Sequence, residues 1–301
     1  MKSSRLIFNI ALLIIFISVR AAFPQADNLK TKISSIIKQT KGNVGVAVIG
    51  FDNHDTVIIN NNLKYPMQSV YKFPLALYIL RKVDEGKLSL DQKIHLTKEN
   101  LLPNTWSPLR KKYPNANVDV ELREILSYTI RESDNNGCDI LFKLVGGTAK
   151  VNKYIHSLGI KGMSIAATEK EMHSAWNVQY KNYSSPLAMG KLFCKFALEN
   201  ILSSASKNFL LNLLTKNDLG SNRIPAQLPA GTIVAHKTGT SDVNDKGIAA
   251  AANDAGIVTL PNGDHFVIVV FVSDSPDNEI SRNKLIADIA KAAWDSFTKK
   301  Q

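Results

Sequence analysis

The chain has 301 residues, 45% of them hydrophobic, enough for one large domain or two closely packed ones with a sizeable core. Its 37 basic and 26 acidic side chains give a net charge of +11, yet no Lys/Arg block is interleaved with aromatics, which argues against nucleic-acid binding. The two cysteines and six scattered histidines offer no metal-ligand spacing, so neither a metal nor another cofactor is expected.

Residues 1–26 read as an export signal. Lys2 and Arg5 form a basic start, Leu6 to Val19 an apolar stretch, and Ala21, Ala22 and Ala26 supply small residues for cleavage. The apolar stretch is short for a membrane span, and no later stretch is long enough. No cysteine near the cleavage region offers a lipid anchor. The chain is therefore expected to be exported, periplasmic or secreted, without stable membrane insertion. Removing Lys2, Arg5 and Arg20 leaves a charge of about +8. Cys138 and Cys194 each sit in an apolar, helix-like stretch; two buried thiols are expected, with a disulfide left open.

From Asp27 to Thr40 the apolar residues Leu29, Ile33, Ile36 and Ile37 follow a helical period. Asn43 to Phe51 and Thr56 to Asn60 are β-branched and predict a hairpin across residues 52–55. Pro66-Met67-Gln68-Ser69-Val70-Tyr71-Lys72 then leads into the apolar run Phe73 to Leu80, a buried helix starting at about Ser69 and closing near Gly86. Pro74 costs a helical hydrogen bond outside the first turn, so an offset start or a kink is expected. Residues 87–118, with Pro103, Pro108 and Pro114, read as loop. Helices are predicted over Asp119–Ile130, Ser133–Leu144 (ended by Gly146-Gly147), Thr148–Leu158, Ser185–Glu199 and Ala205–Leu214. Residues 160–183 lack a period, and so long an irregular stretch points to function. Thr232–Thr238, Lys246–Leu260 and His265–Ser273 read as strands, and Glu279–Phe297 as a last amphipathic helix.

Strands at both ends with helices between them predict an α/β protein of the α+β type. An antiparallel sheet of about five strands, flanked by terminal helices, would come from residues 27–63 and 217–301. An all-helical domain, 64–216, would be inserted, with the active site in the cleft between.

Ser-x-x-Lys occurs five times, at Ser35, Ser69, Ser204, Ser281 and Ser296, so the spacing alone says little. Only Ser69 opens the most apolar helix-length run after the N-terminus. There Ser69 and Lys72 lie one turn apart on one face, so the amine can reach the hydroxyl and take its proton. Three other stretches could supply partners. Ser133-Asp134-Asn135 precedes a helix and would ordinarily be an N-cap cluster. Chemically, Ser133 could relay a proton to a leaving nitrogen, while Asn135 holds a substrate carbonyl and Lys72. Lys237-Thr238-Gly239-Thr240 is the only Lys-Thr-Gly and ends a strand, where a lysine is ordinarily solvated. Functionally, Lys237 would hold Ser133 and attract a carboxylate, Gly239 would admit a ligand to the backbone, and Thr240 N–H would join Ser69 N–H as an oxyanion hole. Glu169, after Thr168 in the irregular stretch, is ordinarily a solvated loop residue, but would activate water if an ester on Ser69 must be hydrolysed.

Ser-x-x-Lys, Ser-Asp-Asn, Glu and Lys-Thr-Gly in this order resemble the class A serine β-lactamases over nearly the whole chain. The stretches Pro66–Lys72, Asn104-Thr105-Trp106, Glu169-x-x-Met172-His173 and Leu228-Pro229-Ala230-Gly231 through His236–Thr240 are most similar to the cephalosporin-favouring PER-type branch. The resemblance implies a β-lactamase/D,D-peptidase-like fold and a monomer that hydrolyses penicillins and cephalosporins, giving antibiotic resistance, with a cephalosporin preference and extended spectrum. It makes Ser69 the acylated nucleophile, lets Lys72 and Glu169 share general-base work, and gives Glu169 the deacylation step. It assigns Ser133 and Lys237 to the leaving nitrogen and the substrate carboxylate, with Asn135, Thr238 and Thr240 binding substrate. Trp106 would wall the cleft, against an ordinary packed aromatic. Arg223 would assist carboxylate binding, against an ordinary surface arginine. His173 stands where the commoner class A pattern has an asparagine that helps hold the hydrolytic water. Two alternatives stay open: a penicillin-binding D,D-peptidase, which shares the first and third motifs but not Glu169, and a sensor that is acylated and stays so.

Overall fold

The computed structural model describes residues 24–51 and 56–299. The predicted first turn, 52–55, and most of the export signal lie outside them. Helix α1 (Pro24–Ile37) precedes β1 (Asn43–Gly50) and β2 (Thr56–Ile59), and a two-residue strand β3 (Tyr65–Pro66) leads to the nucleophile candidate. A 3₁₀ turn, Gln68–Tyr71, runs into α2 (Lys72–Asp84). The α-helix thus starts three residues later than the sequence suggested. Pro74 falls in its first turn, where the missing N–H has no intrahelical partner to lose.

The stretch 87–118 is not all loop. β4 (Lys93–Leu96) pairs with β5 (Val118–Glu121), with α3 (Pro108–Lys112) between them. Asp119 therefore belongs to a strand, because Val118 and Val120 alternate with Asp119 and Glu121, and the helix α4 begins only at Leu122, ending at Arg131. Next come α5 (Asn135–Val145), closed by Gly146 at φ 83°, and α6 (Thr148–Ser157). The irregular stretch contains β6 (Met163–Ser164), a one-turn helix α7 (Glu169–Met172), a 3₁₀ segment Trp176–Lys181 and β7 (Tyr183–Ser184). Helices α8 (Pro186–Leu198) and α9 (Ser204–Thr215) follow. The chain finishes with β8 (Val234–Thr240), β9 (Ala249–Thr259), β10 (His265–Ser275) and α10 (Glu279–Thr298).

The main sheet has five strands in the order β2-β1-β10-β9-β8, all antiparallel, so both ends of the chain build it as expected. Side-chain alternation decides what packs on each face. On β10, Phe266, Ile268, Val270 and Val272 join Leu285, Ile286 and Ile289 of α10 and Ile33 of α1. The intervening Val267, Val269 and Phe271 join the core shared with α2, α4, α5 and α8. Both faces of the sheet are buried, which is why β10 reads as an unbroken apolar run. At a transfer value of about 1.5–3 kcal/mol per large side chain, these two cores are the main stabilising term. Phe73, behind the nucleophile turn, stacks on Phe193 of α8 with ring centroids 4.0 Å apart. Cys138 and Cys194 are free thiols; Cys138 is buried as expected, whereas Cys194 is only half-buried. Among the described residues no helix is long and apolar enough to cross a membrane.

Candidate active site

The 3₁₀ turn explains how Ser69 meets Lys72. Residues three apart eclipse each other in that conformation, and Lys72 Nζ lies 2.9 Å from Ser69 Oγ. The Lys72 side chain is wholly buried. Its Nζ also contacts Ser133 O at 2.8 Å, Asn135 Oδ1 at 2.6 Å, Glu169 Oε1 at 2.9 Å and, more loosely, Ser133 Oγ at 3.4 Å. An ammonium has three hydrogens for these five oxygens. The Glu169 contact is among those left out: it is an ion pair off the hydrogen-bonding axis, and Oε1 has no hydrogen-bond partner.

Ser133 and Asn135 reach Lys72 because Asp134 takes the capping duty. The Asp134 side chain accepts Gly137 N–H as N-cap of α5, and also accepts Leu109 N–H and the Ser107 hydroxyl. The ordinary reading of Ser-Asp-Asn thus holds for its middle residue alone. Ser133 sits at φ 57°, a left-handed conformation that costs a non-glycine residue about 1 kcal/mol or more. That twist sends its carbonyl to Lys72 while Oγ accepts from Lys237 Nζ at 3.0 Å. The Asn135 amide is oriented by its two neighbours: oxygen to Lys72, nitrogen to Thr105 Oγ1 at 2.8 Å.

Glu169 opens α7 and is 4% exposed. Thr168 and Glu171 form a capping box around that start. Asp139 of α5 accepts the N–H of both Glu169 and Lys170, at 2.7 and 2.9 Å. Burial, reinforced by the charge of Glu169, pushes the Asp139 carboxyl up to about 6. The buried Asn182 accepts the N–H of Ala166 and Ala167 and fixes the approach to α7. His173 is exposed and folds back onto its own turn: its Nδ1 lies 2.7 Å from Glu169 O, and since a carbonyl only accepts, that nitrogen carries the hydrogen.

Lys237 lies on β8, the edge strand, and is nevertheless fully buried. Gly239 allows β8 to press on the nucleophile turn: a Cβ there would fall 2.4 Å from Met67 O and 3.2 Å from Ser69 N. Asn253 of β9 completes that junction by donating to Pro66 O and Met67 O. Thr240, the last residue of β8, lines the cleft. Thr238 contributes its carbonyl to Lys237 Nζ at 3.1 Å, but its methyl points at Gly220, where a Cβ would come within 2.3 Å. Arg223 is neither a surface arginine nor a cleft wall. It is 4% exposed and donates to Gly239 O, Asn253 O, Asn283 Oδ1 and Thr240 Oγ1, so it touches the cleft only through Thr240. Trp106 is half-exposed at the rim, its Nε1–H on Glu132 O. The cleft so enclosed holds about 530 Å³ and is lined by Ser69, Trp106, Asn135, Glu169, His173 and Thr240 among others.

Sequence reasoning missed Thr105, Asp139, Asn182 and Asn253. No short-range signal marks them, because each works on a backbone or side chain far away in sequence. Among the described residues no group of three metal-ligating side chains occurs.

Burial, and then the neighbouring charge of Lys72, lower the Lys237 ammonium well below its usual 10.5. Only the charged form attracts a carboxylate, so affinity is lost as pH rises through that lowered value, and binding below it needs no proton. KM for a carboxylate-bearing substrate is therefore expected to climb with pH well before 10.5, approaching tenfold per pH unit, while Lys237→Arg flattens the rise. KM measured from pH 6 to 10 checks this; a wild-type KM that stays level over that range refutes it.

The chain matches the family model described as "Beta-lactamase enzyme family" over residues 28–297. It is 45% identical over 293 residues to β-lactamase VEB-1 of Pseudomonas aeruginosa, covering 97% of each chain. To the extended-spectrum β-lactamase PER-1 of the same organism it is 41% identical over 276 residues, covering 92% of this chain and 89% of that one. The crystal structure of TLA-1 extended-spectrum β-lactamase is similar with a TM-score of 0.89 at 52% identity, covering 91% of this chain and 99% of the other. The motif order, the five-stranded sheet with its helices and these likenesses agree: the chain belongs to the β-lactamase enzyme family, as a class A serine β-lactamase of the PER/VEB kind that hydrolyses β-lactams.

Proposed function

We propose that the β-lactam amide is opened through an ester on Ser69. The observation that carries this is the meeting of residues 69–72, 133–135, 169 and 237, with Lys72 Nζ 2.9 Å from both Ser69 Oγ and Glu169 Oε1 and Lys237 Nζ 3.0 Å from Ser133 Oγ. Ser69 Oγ attacks the β-lactam carbonyl carbon, and its proton passes to the base shared by Lys72 and Glu169. The backbone N–H groups of Ser69 and Thr240, on elements that Gly239 lets touch, receive the oxyanion. When the C–N bond breaks, Ser133 gives its proton to the ring nitrogen and Lys72 or Lys237 restores it. Glu169 then takes a proton from water through Oε1, which is ion-paired with Lys72 but accepts no hydrogen bond, the hydroxide attacks the ester, and Ser69 leaves with that proton. Asn135 and Thr240 bind substrate polar groups, Lys237 and Thr238 bind its carboxylate, and Trp106 bounds its side chain. Arg223 supports Thr240, and His173 braces the loop in place of holding water through an amide.

The cleft lies between residues 27–63 with 217–301 and residues 64–216, which are mainly helical rather than all-helical because the short strands β3 to β7 fall among them. The roomy cleft and the likeness to PER-1 support a cephalosporin preference with extended spectrum. The leader-like residues 1–26 support export to the periplasm or beyond. Rates for a penicillin, an early cephalosporin and an oxyimino-cephalosporin test the preference. The expected kcat/KM is higher for the early cephalosporin than for the penicillin, with steady turnover of the oxyimino compound; the reverse order, or no oxyimino turnover, rejects it.

A further inference from the structure

We infer that Tyr180 and Asp274 form a latch that fixes where Glu169 sits, acting as positioning residues for release of the acyl group. The inference rests on the deacylating role proposed for Glu169. Three sites hold the strip from Ala166 to Asn182. Asp139 and Asn182 fix the start of α7. Beyond α7 the backbone runs through the exposed Ser174 and Ala175 into the 3₁₀ segment Trp176–Lys181. That segment is anchored at two successive residues. Gln179 pairs with Gln68, the residue before the nucleophile. Tyr180 donates its hydroxyl to Asp274 Oδ1 on β10, the central strand of the main sheet.

Both anchor residues, Gln68 and Asp274, occupy backbone that L-residues avoid. Gln68 has φ 46° and Asp274 has φ 52°, two of only six non-glycine residues with positive φ among those described. Asp274 also drops out of the β10–β9 register, between the paired Ser273 and Ser275. Each such conformation costs about 1–3 kcal/mol unless its surroundings enforce it. Here the twist turns a carboxylate near the end of the central strand toward the tyrosine of the catalytic loop. No cation pairs with Asp274 among the described residues, and Tyr180 is its hydrogen-bond partner there. Burial and the Asp274 contact keep the Tyr180 hydroxyl protonated, so it donates and the carboxylate accepts. The latch thus ties the Glu169 strip to the central strand of the main sheet, while Gln179 ties it to the Ser69 turn. Neither Tyr180 nor Asp274 lines the cleft, so neither touches substrate.

The test is the phenylalanine variant of Tyr180, which removes one oxygen, assayed with nitrocefin. Acylation sets kcat/KM and deacylation sets kcat when the acyl-enzyme accumulates. Tyr180→Phe is expected to lower kcat about tenfold and KM in proportion, leave kcat/KM within twofold, and leave acyl-enzyme visible by mass spectrometry during turnover. Asp274→Asn keeps an acceptor for the hydroxyl and should lose only two- to threefold, with the double variant no worse than Tyr180→Phe. A purely structural role would lower kcat/KM as well, or only the melting temperature, and either result overturns the latch. Should Tyr180→Phe not fold, Asp274→Asn decides alone: unchanged kcat refutes the proposal. Glu169→Ala run in parallel separates the two ideas. If it turns over normally, the Glu169 reading fails; if it traps the ester while Tyr180→Phe behaves as wild type, only the latch fails.

Discussion

Glu169→Ala is expected to turn a catalyst into a single-use acceptor. Acylation continues, because Lys72 still sits 2.9 Å from Ser69 Oγ, but the ester has no base to prime its water. General bases of this kind are worth about 10²–10⁴ in rate, or roughly 3–5 kcal/mol of barrier. One equivalent of nitrocefin should be opened in a burst, followed by turnover slowed by that factor. Mass spectrometry should find the adduct at one per chain. The variant also frees Lys72 from an ion pair buried at both ends, so its folded state loses one charge partner. Normal steady turnover, with no adduct, would remove Glu169 from the mechanism.

Ser69→Ala is expected to abolish both the burst and the adduct, with a rate loss of roughly 10⁵- to 10⁶-fold, about 7–8 kcal/mol. Removing the oxygen leaves Lys72 its contacts to Ser133, Asn135 and Glu169, so the fold should stand and the circular dichroism spectrum should be that of the wild type. The four other Ser-x-x-Lys pairs supply a control within the same chain. Ser204→Ala changes a helix-α9 residue outside the cleft and should leave turnover intact. Residual activity above about 1% in Ser69→Ala, or a comparable loss in Ser204→Ala, would mean the nucleophile lies elsewhere.

What could be read in the sequence follows from how local each signal is. Ser69 and Lys72 were legible because both halves of the pair lie in one turn. The turn type was not: Pro74 announced an offset start, but only the packing of Gly239 and Asn253 on Met67 O shows why a 3₁₀ turn carries the serine. The strands at both ends were legible from β-branched runs, and their edges shifted by two or three residues where turns competed. Asp119 was misread as helix because β4, its partner strand, has too few apolar residues to show. Asp139 was hidden inside an apolar helix, where an aspartate looks like a solvated exception, and its role depends on backbone 30 residues away. Arg223 had the right neighbourhood and the wrong depth, since its partners Asn253 and Asn283 lie on β9 and α10.

The pairing of β1 with β10, with Val46 opposite Val270, joins residues over two hundred positions apart. A contact of that span cannot form before the last strand is present, and it carries a loop-closure entropy. Only β10 joins β1 to β9 and β8, whose Asn253 and Gly239 pack against the Ser69 turn. The nucleophile, a quarter of the way along the chain, therefore depends for its setting on segments near the chain's end.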